Sequence, residues 1–113
     1  MTDSSSVPLG VFEEQILVAV LRTRDEAFGM QVRREIERVT GRELAIGAVY
    51  STLDRLEAKG LVTSKRSIAE GSASRRMFEV SAAGARALAE TRDMRERLWK
   101  GIDLRRLVVL ART

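Results

Sequence analysis

The residues best suited to binding chemistry form a basic group between positions 59 and 76. This stretch carries five basic residues and one acid, Glu70, so its net charge of +4 equals that of the whole 113-residue chain. The rest of the chain is therefore neutral overall. A neutral body with one basic segment is suited to binding a polyanion such as nucleic acid, although an ordinary solvated loop would have the same composition.

Other kinds of chemistry lack the necessary side chains. The chain contains no Cys and no His, which excludes thiol and imidazole metal ligands, cysteine nucleophiles and Ser-His catalysis. Carboxylates are scattered along the chain, and no pair has a spacing that suggests acid-base catalysis. The sequence therefore predicts a protein that is not an enzyme and that needs no metal or other cofactor.

Length and composition predict one small helical domain that does not enter a membrane. Hydrophobic residues make up 44% of the chain and aromatic residues 4%, so the core must consist mainly of aliphatic side chains. No apolar run approaches the ~20 residues of a membrane-spanning helix. Residues 1–10 lack the basic and apolar regions of a signal peptide, which favours a cytoplasmic protein. A domain this small buries a modest share of its surface, so a dimer is expected.

Apolar spacing predicts three helices in the first half of the chain. Each has apolar residues three or four positions apart, which places them on one side of a helix. In the third helix this stripe consists of Val49, Leu53 and Leu56. The predicted helices span about residues 9–22, 29–39 and 47–59.

A β-hairpin is predicted to follow the third helix. Residues 61–66 and 75–80 are compatible with two strands, and the stretch between them is rich in turn-forming residues. In the second strand Met77 is one candidate to face the core, with Phe78 on the other face. The basic residues then lie on the two arms of the hairpin.

A long fourth helix is predicted at about 82–100, with Ser81 as its N-cap. Its apolar stripe follows a domain that is already complete, so we expect it to pack against a second copy of the chain. The residues of this helix region predicted for the dimer interface are Leu88, Met94, Leu98 and Ile102, with Trp99 at the edge. Residues 104–110 form an apolar tail whose conformation the pattern does not indicate.

The order of these elements predicts a mainly α protein with a small β-hairpin, a winged helix-turn-helix followed by a C-terminal dimerisation helix. The predicted division is a flexible tail at 1–8, a DNA-binding domain at 9–80, and the dimerisation helix with its apolar tail at 81–113. In this fold the third helix enters the major groove, and the hairpin, or wing, contacts backbone phosphates or the minor groove. The candidate DNA-binding residues are Gly47, Tyr50, Ser51 and Arg55 on the third helix and Lys65, Arg66, Arg75 and Arg76 on the wing.

Three stretches of the chain closely resemble the PadR family of bacterial transcriptional regulators. They read LGVFEEQILVAVLR, EAFGMQVRREIERVTGRELAIGAVYSTLDRLEAKGLVTS and SRRMFEVSAAGARAL. The segment Ile46-Gly47-Ala48-Val49-Tyr50-Ser51-Thr52-Leu53-Asp54-Arg55-Leu56-Glu57 is the most specific part of the likeness. With one C-terminal helix, the chain is similar to the smaller members of the family.

The resemblance implies a dimeric DNA-binding repressor that a small molecule can release from DNA. It implies that the first and last helices build the dimer, which adds Phe12 and Ile16 to the predicted interface, and that the Tyr50 hydroxyl binds a DNA phosphate. In drug-binding relatives an aromatic residue of the last helix lines a pocket at the dimer centre. Trp99 is therefore the candidate effector contact, with plain dimer packing as the alternative. A two-fold dimer requires an inverted-repeat operator.

The chain departs from the family pattern at the start of the third helix. The family usually has Ser where Ala45 stands, and a lost N-cap costs about 1 kcal/mol of helix stability unless another group replaces it. The family often has Tyr at the position of Phe28 and a pair of aromatic residues where Met77 and Phe78 stand. A winged-helix module that binds protein instead of DNA remains the alternative function, against which the basic wing argues.

Overall fold

In the computed structural model the helices pack around one another and support a single hairpin, and the structure describes residues 9–68 and 74–113. The elements in chain order are α1 (Val11–Thr23), a 3-10 turn (Arg24–Glu26), α2 (Gly29–Thr40), α3 (Ile46–Ala58), β1 (Val62–Ile68), β2 (Ser74–Val80), α4 (Ala82–Trp99) and α5 (Leu104–Ala111). This order confirms the predicted fold class, and each predicted element lies within two residues of its observed ends. The tail predicted at 1–8 and most of the predicted turn lie outside the described residues.

The core is built from the aliphatic stripes of the first three helices. Each helix contributes residues spaced three or four apart, and the predicted α3 stripe is fully buried. The buried side chains of the helical layers are Ile16, Leu17, Val20, Val32, Ile36, Val49, Leu53 and Leu56. Burying one such side chain stabilises the fold by about 1.5–3 kcal/mol. This packing determines which side of α3 remains exposed.

The hairpin packs on this core through Phe78, so the predicted orientation of β2 was wrong. The strands pair antiparallel with Val62 opposite Val80 and Ser64 opposite Phe78. Because opposite residues of an antiparallel pair share a face, Val62, Val80 and Phe78 point the same way. Val62 and Phe78 are fully buried, whereas Met77 is only half-buried on the opposite face. The large ring of Phe78 fills the space beside the helices.

Strand β2 is also attached to the segment that precedes α2. The Phe78 amide donates a hydrogen bond of 2.9 Å to the Ala27 carbonyl oxygen, and Met77 forms an antiparallel bridge with Phe28. A two-stranded hairpin is marginally stable in isolation. These contacts therefore anchor the base of the wing to the start of α2.

The ends of α2 and α3 follow the expected local chemistry. Gly41 ends α2 in the left-handed conformation, with φ of 74°, which glycine adopts without steric cost. Ala45 is the N-cap of α3 and makes no side-chain hydrogen bond, as its methyl group requires. The first amides of α3 therefore have no side-chain cap.

Helix α4 begins on the body of its own chain. The Ser81 hydroxyl accepts a hydrogen bond of 3.0 Å from the Gly84 amide, which confirms the predicted N-cap. A Cβ atom at Gly84 would lie 2.0 Å from the Leu61 carbonyl oxygen, so the helix approaches the backbone closely there. The Leu9 amide donates a hydrogen bond of 3.1 Å to the Thr91 hydroxyl. The first half of α4 is therefore packed within one chain.

Helix α5 leaves the direction of α4 at a glycine. Gly101 has φ of +85°, and the Asp103 carboxylate then caps α5 by accepting from the Arg105 amide at 3.0 Å. All residues from 101 to 113 are exposed. The apolar tail is thus a short amphipathic helix with nothing from the described part of its own chain covering it.

Candidate nucleic-acid interface

The exposed side of α3 carries the residues predicted to meet DNA. Gly47, Ser51 and Arg55 are all exposed, because the opposite side of the helix is held in the core. Apart from the backbone of its own helix turn and its chain neighbours, no described atom lies within 4 Å of the position that a Cβ at Gly47 would occupy. The first turn of α3 therefore presents its backbone to solvent and can be approached closely by a ligand.

Tyr50 lies across the first turn of α2. A Cβ atom at Gly29 would stand 2.4 Å from Cζ and 2.6 Å from the hydroxyl oxygen of Tyr50. The ring is 37% exposed, and the α2 N-cap, Phe28, makes no side-chain hydrogen bond. Unsatisfied amides at a helix N-terminus favour an anion. The Tyr50 hydroxyl thus lies beside a helix end with that preference, which is compatible with a phosphate contact.

Arg55 is partly engaged by its own helix. Its Nη2 donates a hydrogen bond of 3.3 Å to the hydroxyl of Thr52, which is buried. The Arg55 side chain is otherwise exposed. A guanidinium has five N–H donors, so this one contact orients the group and leaves further donors for a base edge or a phosphate.

The wing holds three of its four predicted phosphate contacts on exposed side chains. Lys65, Arg66 and Arg75 are all exposed. The Arg75 guanidinium carbon lies 4.4 Å from the centroid of the Phe28 ring. This stacking holds a flexible side chain in place while its N–H edges remain accessible. Phe28 therefore connects the outer face of the wing to the N-terminus of α2.

Arg76 is placed differently from the other wing cations. Its Nη1 donates to Asp54 Oδ1 at 2.8 Å, and its Nη2 donates to Glu57 Oε1 at 2.6 Å. Its side chain is 28% exposed, and its guanidinium carbon lies 4.9 Å from the centroid of the Phe78 ring. The hydrogen bond with Asp54 is the largest cause that raises the pKa of Arg76 above its usual value. The pattern of charges along the chain did not indicate these partners.

The residues predicted for the dimer interface fall into two groups. Ile16 and Leu88 lie in the core of their own chain, and Phe12 packs against that core, so the interface prediction needs correction at Ile16 and Leu88. Both side chains belong to the same core cluster as the buried residues of α2 and α3. Leu98, Trp99 and Ile102 are exposed, and Met94 is half-buried.

An open groove lies between α1 and α2, and Arg95 of α4 also lines it. It has a volume of about 380 Å³, and most of its lining surface is apolar although charged side chains also border it. The apolar members are Val11, Val18, Ala19, Ile36 and Val39. The lining does not include Trp99, so one chain alone does not place the candidate effector contact in this groove.

Two chemical alternatives find no support among the described residues. Within 9–68 and 74–113 no cluster of acidic side chains is arranged to hold a metal ion. None of the described helices combines the length and apolar character that crossing a membrane requires.

Comparison with known proteins agrees with this geometry. Residues 16–90 match the model of the Transcriptional regulator PadR-like family. The transcriptional regulator Rv3488 of Mycobacterium tuberculosis is 38% identical over 74 residues, which are 66% of this chain and 67% of that protein.

Solved structures share the fold as well. RosR of H. salinarum is 25% identical, with a TM-score of 0.64 over 91% of this chain and 88% of that one. Bacillus subtilis PadR, solved in complex with operator DNA, is 17% identical, with a TM-score of 0.64 over 72% of this chain and 46% of that one. The chain therefore belongs to the PadR-like family of transcriptional regulators and has their winged helix-turn-helix fold.

Proposed function

We propose that the protein is a repressor that binds an inverted-repeat operator as a homodimer. Each copy presents the start of α3 to the major groove, with Gly47, Ser51 and Arg55 facing the bases. Tyr50 binds a neighbouring phosphate, and the wing follows the backbone beside the groove. Lys65, Arg66 and Arg75 supply the wing's phosphate contacts.

The observation that carries this proposal is the exposed side of α3 next to a basic wing. The start of that helix has open space around Gly47 and no side-chain cap, which suits close approach to DNA. The cations of the wing are exposed beside it. Support also comes from B. subtilis PadR, a protein of the same fold that was solved with operator DNA.

The homodimer is supported by apolar surface that one chain leaves in water. Leu98 is 75% exposed and Val11 is 72% exposed, and α5 carries further apolar residues at Leu104, Leu107, Val108, Val109 and Leu110. A helix of eight residues is marginal in water unless tertiary contacts stabilise it. A second copy that covers these faces of the first and last helices would provide those contacts.

A two-fold dimer presents two copies of α3 to DNA in opposite orientations. The operator then has two inverted half-sites whose centres lie about one or two helical turns apart. Occupancy of such a site at a promoter would repress transcription. We further propose that a small molecule bound next to Trp99 in the dimer changes the spacing of the two α3 helices and releases the operator, because that spacing must match the DNA.

Selection of bound DNA from a random pool tests the proposal directly. We expect an inverted repeat, and binding that weakens steeply with salt, because several phosphate contacts release counterions. Arg55→Ala should then reduce preference for one base pair in each half-site by about 1–3 kcal/mol if the side chain reads a base edge. Ser51→Ala tests the neighbouring position in the same way.

Two outcomes would contradict the proposal. If the selection enriches no DNA sequence, and if any binding to DNA does not weaken with salt, a winged-helix module that binds protein would be favoured. Equal losses on specific and random DNA for both Arg55→Ala and Ser51→Ala would show that α3 only positions the protein on phosphates. Specificity would then have to come from DNA shape.

A further inference from the structure

We propose that Arg76 is a positioning residue that joins the wing to α3, so that both meet DNA in one fixed arrangement. This inference rests on the proposed function, because it concerns how the two DNA-binding elements are held together. It assigns supporting roles to Asp54 and Glu57, two acids whose charge alone would oppose binding to a polyanion.

The geometry of Arg76 is that of a bridge between two elements. Its side chain leaves β2 and divides its donors between two carboxylates one turn apart on α3, at 2.8 Å from Asp54 and 2.6 Å from Glu57. A planar guanidinium can hold two acceptors at once in a set direction. Its stacking on Phe78 adds a third point of contact. A side chain that extended to a phosphate would have to break this arrangement.

The other strand of the wing, β1, also contacts the Glu57 carboxylate. The Ser64 hydroxyl donates a hydrogen bond of 2.7 Å to Glu57 Oε2. Ser64 lies in β1, and Arg76 lies in β2, so Glu57 holds both strands of the wing. A hairpin depends on such contacts with the body because two strands alone are marginally stable.

The register of the hairpin explains why acids are needed on α3. Arg66 and Arg76 are directly opposite each other in the antiparallel pair, so their side chains start on the same face. Like charges directly opposite destabilise a strand pair. Asp54 and Glu57 place two negative charges against this face, which offsets the repulsion and draws the strands towards α3.

The sign of one charge-removal experiment separates positioning from simple electrostatics. Glu57→Gln removes a negative charge next to the DNA, so a simple Coulomb argument predicts tighter binding. If Glu57 holds the wing, the same change weakens binding to the selected operator by about three- to tenfold, a coupling typical of a charged network. The salt slope should also fall, because a displaced wing makes fewer phosphate contacts.

Glu79→Gln is the matched control, because it removes one acid from the same wing. Glu79 is an exposed residue of β2 that forms no ion pair with any described residue. It should bind the operator as well as the unchanged protein or more tightly. Thermal unfolding of both variants checks that neither loses its fold, and a Glu57→Gln protein that melts within a few degrees of the parent reports on positioning.

A second variant tests whether one side chain must hydrogen-bond both Asp54 and Glu57. Lysine is an effective phosphate ligand but cannot span two carboxylates as arginine does. Arg76→Lys should therefore weaken operator binding about as much as Glu57→Gln does. Arg86→Lys, at an exposed site on α4, controls for the exchange itself and should leave binding unchanged.

The outcomes distinguish this inference from the proposed function. Operator binding that is unchanged or tighter in Glu57→Gln, or unchanged in Arg76→Lys, would overturn the positioning role while leaving DNA binding intact. Failure of the unaltered protein to select any DNA would instead overturn the proposed function. Losses in both variants, with normal binding by both controls, support the bridge.

Discussion

Two regions of the molecule differ in how completely contacts within one chain satisfy their surface side chains. On the side of α3 and the wing, polar groups meet within the chain: Arg76 is paired with Asp54 and Glu57, and Arg75 stacks on Phe28. On the side of α1, the end of α4 and α5, large apolar groups remain in water, as at Leu98. One chain therefore orders the proposed DNA-binding surface by itself, whereas its exposed apolar surface is what the proposed second copy would cover.

The difference shows where stability and affinity arise. The positions of the proposed DNA-facing residues follow from the core of a single chain, since the buried side of α3 dictates its exposed side. In the proposed dimer, the distance between two such surfaces is set by the partner that covers the apolar residues. Changes to those apolar residues should accordingly have the larger effect on operator binding.

The largest effect is expected from a charge on the exposed end of α4. Leu98→Glu would place a carboxylate in the proposed dimer interface, and burying an unpaired charge is costly. We expect monomers at micromolar concentration and operator affinity reduced by more than about 100-fold, because the second half-site no longer benefits from linkage. Sedimentation and operator titration measure the two effects.

Ala89→Glu serves as the control for that substitution. Ala89 is exposed and lies nine residues before Leu98, which places it on about the opposite side of the helix. This variant should remain a dimer with normal binding. A Leu98→Glu protein that is still dimeric would show that the apolar side is completed in some other way.

A smaller effect is expected from the exposed cations of the wing. Arg75→Ala would remove one proposed phosphate contact, so the slope of log affinity against log salt should flatten by about one unit. Specific and random DNA should lose affinity to a similar extent. If instead the preferred sequence changed while the salt slope stayed constant, the wing would be reading bases or groove shape. Sequence specificity would then belong to the wing as well as to α3.

Gly47→Ala should separate stability from binding on the DNA-facing side. Alanine is favoured over glycine in a helix by up to about 1 kcal/mol, and the surrounding space is open. Thermal stability should therefore rise slightly. Operator affinity should fall, because the added methyl group holds the first turn of α3 away from DNA. Unchanged affinity would place the closest approach elsewhere on the helix.

The smallest effect is expected from a charge at the edge of the α1–α2 groove. Hydrogen bonds from Arg38 and then Arg22 lower the pKa of Glu35 from 4.5 to about 2. A lowered pKa in the folded state adds stability above pH 4.5, and this contribution is lost as the pH falls towards 2. NMR titration of Glu35 should show the low pKa, and high salt should raise it.

Glu35→Gln completes this test. The variant should show a shallower decline in the free energy of unfolding between pH 4.5 and pH 2 than the parent protein does. An equal decline in both proteins would mean that this ion-pair network contributes nothing measurable to stability, as is common for surface pairs.

Much of the fold could be predicted because its elements are short-range patterns. The stripe of Val49, Leu53 and Leu56 predicted both the helix and its buried side, and the Ser81 cap marked the start of α4. The candidate residues on α3 followed from that stripe. The likeness to a family predicted the arrangement of helices and wing, which the family match and the shared fold confirm.

Other features depended on contacts between distant parts of the chain. Alternation in β2 allowed either Met77 or Phe78 to face inwards, and only the space beside the helices selected Phe78. Leu88 was expected to need a second copy, yet it is buried in the core of its own chain. The apolar tail gave no pattern long enough to indicate α5, which depends on the turn at Gly101 and the cap at Asp103.

The sequence alone therefore determined the helical and strand segments, the basic wing and the exposed side of α3, because each depends on neighbours within a few turns. The tertiary structure decided which wing cations stay exposed and which are paired with acids of another element. Arg76 and Asp54 are 22 positions apart, and long side chains reach partners that only chain packing brings near. Two adjacent arginines of equal charge thus differ, with Arg75 stacked at the surface and Arg76 joined to α3, because β2 turns them to opposite faces.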